Sequence, residues 1–518
     1  MNTEIKIKIK KSNNIISSNF KYKLHVSNPS VPKLYCLPKI HKSGKSMRPI
    51  VSAMNAPTSK ISKWLTNEFN NLPYKQPSFA VKNSLEFINK IKNVQLQTGE
   101  VLISFDVSSL FPSVPIPHTL NYLTELLIQN NLDQQSIKEY IQLTDLCMKQ
   151  NIFQFKGIFY EQNEGTAMGN SLSPFIADFF MSRFEKDLQS ELDYFPKVWL
   201  RYVDDIFAIF DTNICQIDDF ISSLNHKFTS IKFTYELEKE GKLPFLDTLV
   251  IRNNNHLEFD VYRKESSTLR YIMSDSHHHP QHKMAAFNFL IHRLCTFPLN
   301  KKRYSKELHT IHDIAEYNGF DRKLVDKMVR KIQHKITLKK SSTFQKEPKV
   351  NHKFAIIPFE PRLTRGIGSI FKSLDLQVIF TSGPNLQNLL GNPKDKVGAN
   401  EKSGIYEINC KDCSQKYIGH TKRPILTRFK EHLAHLKYGR LEKSSVAQHI
   451  FDNDHRIDLD NLKLIKHVNR INCLDSLESI EIYKNRDNVM NSDLGPIPRS
   501  ALFSLLNVKR HSLSHSSD

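Results

Sequence analysis

Arg201–Phe207 reads RYVDDIF, with Val198, Trp199 and Leu200 before it and Ala208 after it. Apolar residues on both sides of an acid pair predict two short strands, with Asp204 and Asp205 at or near the tip of a β-hairpin. Two adjacent carboxylates repel, so a cation is expected between them and a further acid. Asp106 supplies that acid, near the C-terminal end of the strand-like run Leu102–Phe111 (LISFDVSSLF). Carboxylates from two neighbouring strands suit two divalent cations about 3.5–4 Å apart, which activate a 3′-hydroxyl and stabilise a leaving pyrophosphate. Oxygen ligands and phosphate substrates favour Mg²⁺. An isolated Asp-Asp is ordinarily a turn, and an isolated Asp after a strand is ordinarily a helix cap. The combination weighs more, because Phe111 follows Asp106 by five residues and Gly165–Pro174 (GTAMGNSLSP) lies between the two acid sites.

The order Asp106–Phe111, Met168–Pro174, Tyr202–Asp205 resembles motifs A, B and C of the reverse transcriptases. Leu34–Ser52 (LYCLPKIHKSGKSMRPIVS), Leu243–Asp247 (LPFLD), Val261–Lys264 (VYRK) and His279–Lys283 (HPQHK) look like the Penelope-like retroelement polymerases, relatives of telomerase. The likeness runs from about residue 31 to 495. It implies an α+β right-hand fold of fingers, palm and helical thumb, followed by a small α/β GIY-YIG nuclease domain. It also implies two Mg²⁺ on Asp106, Asp204 and Asp205, Arg48 on the incoming triphosphate, and Met168 and Gly169 lining the nucleotide pocket. Phe111 would be the gate against a 2′-hydroxyl; read by itself, it serves equally well as a core aromatic. Met168 stands where motif B usually has Gln, as the Penelope-like group permits. The motif D general acid stays open between Lys239 and Lys242. His277–His279 with His282 lacks the spacing of a closed zinc site and reads as a thumb-base segment touching nucleic acid, or as a polar turn.

A second centre begins at Gly404–Ile408 (GIYEI), followed ten residues on by Tyr417–Gly419 (YIG). Two strand-like runs joined by a polar turn place Tyr406 near Tyr417. A helical stretch with Arg428 follows, then Leu477–Tyr483 (LESIEIY) with Glu478, then Asn491. Phosphodiester hydrolysis needs a base, a cation for developing charge and a metal-holding carboxylate, which Tyr406, Arg428 and Glu478 supply in turn. The set resembles the GIY-YIG endonucleases, which Penelope-like elements carry after the polymerase. The resemblance makes Tyr406 the base, Tyr417 a supporting residue, Arg428 the phosphate clamp and Glu478 the ligand of one Mg²⁺. Glu481, one helical turn on, competes with Glu478. Cys410 and Cys413 form Cys-x₂-Cys between the two motifs, and His449 and His455 fit the second half of a structural Cys₂His₂ zinc site. Their competitors, His432 and His435, are expected to face phosphate or solvent from the helix that carries Arg428.

The 518 residues carry a net charge of +20, and it is unevenly placed. Residues 1–50 hold +10 and residues 281–372 hold +13, so the remainder is slightly acidic. Such segregation suits a polyanion track, and Lys327, Arg330, Lys331 and Lys335 on a predicted helix are the candidate duplex contacts. No apolar run reaches the roughly 20 residues of a membrane span. Seven scattered cysteines point to a reducing compartment, not a disulfide scaffold. The expected organisation is a loose basic arm at 1–30, fingers and palm at 31–280, a basic helical thumb at 281–340, a connector at 341–402, the nuclease at 403–495, and a tail at 496–518 that is disordered from Ser512. The implied partners are an element's template RNA, target DNA and dNTPs, with no membrane. The protein would be made in the cytoplasm and act in the nucleus. The competing reading is a truncated or domesticated nucleic-acid-binding remnant, suggested by only about 30 residues before the fingers motif where relatives generally carry more.

Overall fold

Ile5 and Ile9 stand four residues apart among lysines, which puts both on one face of a helix and the charges on the other. The computed structural model describes residues 2–26, 28–39, 47–75, 77–149, 151–341, 353–382, 390, 394, 397–468 and 473–492. Its first elements correct the expectation of a loose arm: α1 (Asn2–Lys11) and α2 (Ser18–Leu24) are ordered helices. Ile5, Ile9, Ile16 and Leu24 are buried in the main core, and the Asn14 and Ile15 N–H groups donate to the Glu139 carboxylate. Apolar residues at helical spacing outweigh the charge that suggested looseness.

The antiparallel strands β1 (Lys33–Pro38) and β2 (Met47–Ser52) form one edge of a four-stranded sheet. Helices α3 (Ser59–Asn70) and α4 (Ser84–Ile91) lead to β3 (Glu100–Val107), the strand expected from VLISFDV. The short α5 (Leu110–Ser113) and the amphipathic α6 (Ile116–Gln129) and α7 (Gln134–Lys149) follow. The hairpin β4 (Ile152–Phe155) and β5 (Ile158–Glu161) completes the first sheet in the order β2-β1-β4-β5.

Pro174 opens α8 (Ser173–Glu191), where its missing N–H costs nothing. The hairpin β6 (Val198–Tyr202) and β7 (Asp205–Asp211), then α9 (Ile217–Lys227) and β8 (Phe233–Leu237), build the central antiparallel sheet β6-β7-β3-β8. Its inner face carries Phe105, Trp199 and Phe210, packed with Phe220 of α9. A three-stranded sheet of β9 (Lys242–Phe245), β10 (Thr248–Asn253) and β11 (His256–Val261) lies beyond it. Three helices, α10 (Pro280–Thr296), α11 (Lys301–Tyr317) and α12 (Arg322–Ser341), enclose a separate core of Phe287, Ile291, Ile311, Ile314 and Val325. Lys327, Arg330, Lys331 and Lys335 are exposed on α12, opposite its buried Val325 and Val329.

The stretch expected as a connector contains a folded unit. Parallel strands β12 (Lys353–Pro358) and β13 (Leu376–Thr381) are joined by α13 (Thr364–Ser373). Their alternation of apolar residues is short and interrupted by Pro358 and Pro361, so it carries little periodic signal. Residues 342–352, 383–389, 391–393 and 395–396 of the connector, the tail at 496–518 and residues 40–46 of the fingers motif lie outside the described residues.

The C-terminal unit is α/β, with an antiparallel sheet β15-β14-β16 made of β14 (Gly404–Asn409), β15 (Lys416–Thr421) and β16 (Leu462–His467). The helices Ile425–Lys437, Ser445–Asn453 and Leu474–Lys484 cover it. Among the described residues, no helix is long and apolar enough to cross a membrane.

Candidate active sites

β3 and β7 pair so that Asp106 stands directly opposite Asp205. A two-residue turn of Val203 and Asp204 links β6 to β7, with Tyr202 facing Asp205. Val203 has φ +60°, a left-handed conformation that a β-branched side chain tolerates poorly. The tight turn brings Asp204 beside the strand pair, where its carbonyl accepts the Val107 N–H at 3.0 Å. Burial pushes the Asp204 carboxyl above the usual carboxylate range. Asp106 pushes it further up, while Arg48 and Lys39 pull it down. Crowded carboxylates opposed by cations from β2 and the segment after β1 are a donor set suited to divalent metal.

Arg201 fixes the hairpin from behind. Its guanidinium is fully buried and donates to Glu185 of α8 at 2.7 Å and to Asp178 at 2.9 Å. The Trp199 indole N–H donates to the same Glu185 oxygen at 3.2 Å. Sequence reasoning passed over Glu185; the available signal was an acid on the apolar stripe of SPFIADFFMSRFEKDL.

Two glycines bring the remaining residues together. Gly169 has φ +126°, and a Cβ there would lie 2.2 Å from the Val51 carbonyl oxygen, while the Val51 N–H donates to the Met168 carbonyl at 2.9 Å. Gly165 has φ +66°, and a Cβ there would lie 2.0 Å from the Pro112 oxygen. The adjoining Thr166 N–H donates to the Phe111 carbonyl at 2.8 Å. Bare backbone at both points lets GTAMGNSLSP lie against β2 and α5. The outcome is a cavity of about 680 Å³ lined by Asp106, Asp204 and Asp205, with Arg48, Phe111, Met168 and Gly169 around them. Lys239 and Lys242 bond to each other across a turn and do not line it. The His279 side chain caps α10, and its ring stacks on Phe380 with centroids 4.8 Å apart.

The C-terminal unit makes a second constellation. Tyr406 of β14 lies opposite Gly419 of β15, and a Cβ at 419 would meet the Tyr406 hydroxyl at 2.7 Å, so the glycine is what lets the ring cross the sheet. The Tyr406 and Tyr417 rings are 6.1 Å apart. His432 corrects its expectation: it is buried, packed against the rings of Tyr406 and Tyr417. Its Nε2 is hydrogen-bonded to the Tyr406 hydroxyl at 2.9 Å and its Nδ1 to Ser444 Oγ at 2.8 Å. Burial, with Arg428 nearby, drops the His432 pKa to about 3, so the ring is neutral at ordinary pH. Burial also raises the Tyr406 phenol well above its usual range, with Tyr417 raising it further and Arg428 opposing.

Glu478 borders the clefts on both sides of Tyr417, and His420 Nδ1 lies 2.8 Å from its carboxylate. Glu481 pairs instead with Lys484 at 2.8 Å, which separates the two candidates. Asn491 holds Ile418 by accepting its N–H at 3.0 Å and donating to its carbonyl at 2.7 Å.

Cys410, Cys413, His449 and His455 converge, their ligand atoms all within 4.8 Å of one another. Cys410 Sγ is 3.5 Å from His455 Nδ1, Cys413 Sγ is 3.6 Å from His449 Nε2, and the two nitrogens are 3.1 Å apart. A tetrahedral zinc with ordinary bond lengths separates sulfur from nitrogen by about 3.5 Å and nitrogen from nitrogen by about 3.3 Å. The donors fit a metal ion. His435 is not part of the cluster.

Carboxylates paired across a central antiparallel sheet, facing a nucleotide-sized cavity, define a nucleotidyl-transferring palm. The family model described as Reverse transcriptase (RNA-dependent DNA polymerase) matches residues 40–245, and this part of the chain is a reverse-transcriptase domain with the α+β right-hand fold of polymerases. The model described as Animal helix-turn-helix domain matches residues 270–330, which take in α10, α11 and the start of α12. No curated protein matches the chain. Among solved structures, telomerase from Candida albicans in complex with a TWJ fragment of telomeric RNA is 14% identical, with 60% of each chain covered and a TM-score of 0.42. Apo telomerase from Candida tropicalis is 16% identical, with 64% of this chain and 63% of that one covered and a TM-score of 0.37. The Sicinivirus 3Dpol RNA-dependent RNA polymerase is 12% identical, with 64% and 71% covered and a TM-score of 0.40. The chain spans about 60% of the telomerase chains it matches.

Proposed function

We propose that this protein is the RNA-directed DNA polymerase of a Penelope-like retrotransposon, coupled to a GIY-YIG endonuclease that nicks DNA and supplies the 3′-hydroxyl primer. The convergence of Asp106, Asp204, Asp205, Arg48, Phe111, Met168 and Gly169 on one cavity carries the polymerase part. Asp106 and Asp205, with Asp204, would hold two Mg²⁺, which would supply activation of a 3′-hydroxyl and charge neutralisation for the leaving pyrophosphate. Arg48 and Lys39 offset triphosphate charge, Met168 and Gly169 shape the base pocket, and the Phe111 ring occupies the space a 2′-hydroxyl would need. The exposed Lys327, Arg330, Lys331 and Lys335 of α12 hold the template–primer duplex through its phosphates.

The grouping of Tyr406, Tyr417, Arg428 and Glu478 supports the nuclease part. A phenol with so high a pKa is protonated at neutral pH, so Tyr406 donates to neutral His432 Nε2, a hydrogen bond that orients its oxygen as acceptor toward the attacking water. Tyr417 packs against His432, Arg428 offsets charge on the phosphate, and Glu478 would hold one Mg²⁺. Zinc on Cys410, Cys413, His449 and His455 is structural, since four protein donors leave no position for water. The template is the element's RNA, the target is chromosomal DNA, and the site of action is the nucleus.

The test is extension of a DNA primer on RNA, together with nicking of supercoiled DNA, using the full chain with Mg²⁺. Asp204→Asn should abolish extension and spare nicking, and Glu478→Ala should do the reverse. A wild-type protein that binds nucleic acid but does neither would replace this reading with that of a binding remnant.

A further inference from the structure

β15 is an edge strand, and the nuclease groups come from both faces of its sheet. Tyr406 and Tyr417 belong to the core beneath the helix Ile425–Lys437, together with Ile408, Ile425 and Phe429. Ile405 and Ile418 belong to the opposite core, where they meet Leu474, Leu477 and Ile482 of the helix Leu474–Lys484. Glu478 rides on that second helix, yet it borders the clefts on both sides of Tyr417. Its carboxylate therefore reaches past the edge of β15 to join groups that belong to the other face. A side chain in that position needs something to hold it.

His420 stands where that reach is set. Alternation along β15 puts it on the face of Ile418, directly opposite Ile405 of β14 and toward the helix that carries Glu478. Its Nδ1 is 2.8 Å from Glu478 Oε2, and its Nε2 is 3.4 Å from Asp475 Oδ1, one helical turn earlier. An ionised carboxylate only accepts, so Nδ1 carries its hydrogen whether the ring is neutral or charged. One oxygen of Glu478 is thereby committed to the ring, and the other is left for a cation. Asp475 is 77% exposed and holds the ring loosely, so the bond to Glu478 is the one that fixes the geometry. Carboxylates that hold metal are commonly oriented by such a hydrogen bond, and losing it costs about 10–100-fold in metal affinity.

We infer that His420 is a positioning residue of the nuclease, which fixes the Glu478 carboxylate at the strand edge with one oxygen free for Mg²⁺. The inference rests on the nuclease reading, and its test separates the two. Nicking of supercoiled DNA by the full chain is measured over a range of Mg²⁺. In parallel, Fe²⁺ with ascorbate and peroxide cleaves the backbone beside bound metal, and the fragment ending near residue 478 is titrated against Fe²⁺. If wild type does not nick, the nuclease reading falls and this inference with it. With nicking present, His420→Ala should raise both the half-saturating Mg²⁺ and the half-maximal Fe²⁺ about tenfold or more, with the DNA KM within about twofold of wild type. His420→Asn should recover most of the loss, because its amide N–H takes the place of Nδ1–H. His420→Gln, whose amide N–H takes the place of Nε2–H instead, should not. Unchanged metal dependence in His420→Ala, equal rescue by Asn and Gln, or an active wild type that yields no such fragment would overturn the assignment. If His420→Ala does not fold, the Asn and Gln variants decide by the same two measurements, with a gap of about tenfold expected between them and refutation if there is none.

Discussion

Glu185→Ala removes the carboxylate that anchors the catalytic hairpin to α8, and its cost can be worked from the contacts. Arg201 and Glu185 are both fully buried, so solvent does not screen their attraction. Removing one partner of such a pair costs about 3–5 kcal/mol, chiefly because a charge is left buried and alone. Arg201 keeps Asp178 at 2.9 Å, but that carboxylate is 57% exposed and compensates weakly. The Trp199 indole N–H also loses its acceptor, which adds to the penalty. A net loss of about 3–4 kcal/mol lowers the folded-to-unfolded ratio by two to three powers of ten. Trp199 is one of two tryptophans and touches the altered carboxylate, so urea unfolding followed by its fluorescence in a Trp64→Phe background reads the change directly. Arg201→Met combined with Glu185→Leu replaces the pair with apolar volume, leaving the Trp199 N–H without its acceptor, and should recover to within about 1–2 kcal/mol of wild type. A loss under about 1 kcal/mol in Glu185→Ala, or a double variant no better than the single, would refute the idea that this pair anchors the hairpin.

Three further outcomes are expected. Gly169→Ala would place a Cβ 2.2 Å from the Val51 oxygen, at a φ of +126° that other residues avoid; the forced shift of β2 should cut polymerase kcat/KM at least about 100-fold while nicking continues, and near-normal extension would contradict the packing. The protein purified without chelator should carry close to one equivalent of zinc, and Cys413→Ser should lose both the metal and the thermal transition of the C-terminal unit; a variant that melts like wild type would dismiss a structural metal. His432 has a folded pKa near 3 and an unfolded value near 6.5, so between those values the unfolded chain binds the extra proton. Its neutral burial is therefore without penalty above pH 6.5, and stability should fall by up to about 1.4 kcal/mol per pH unit as pH drops below it, with His432→Gln flattening that slope in urea titrations at stepped pH.

The elements that carry Asp106, Asp204 and Asp205 are legible along the chain without the fold. RYVDDIF set the hairpin because apolar residues flank two acids, VLISFDV set the neighbouring strand, and GTAMGNSLSP announced through its glycines a backbone that must approach something closely. Local pattern sufficed there because each element's burial is periodic and its chemistry sits at its end. What the bare pattern left open was which distant residues the fold presses together. Val51 against Gly169 and Gly419 against Tyr406 are contacts between strands far apart or paired across a sheet, and spacing along the chain does not encode them. The N-terminal helices were hidden behind their own lysines, since charge count masks an isoleucine pair whose value depends on the core waiting beneath it. His432 was expected at the surface because a histidine near an arginine reads as polar. The packing of its helix on Tyr406 and Tyr417 buries it, and the Tyr406 hydroxyl and Ser444 satisfy both ring nitrogens there. His420 likewise reads as one more polar strand residue until the packing of Leu474–Lys484 on Ile405 and Ile418 brings Glu478 to its ring.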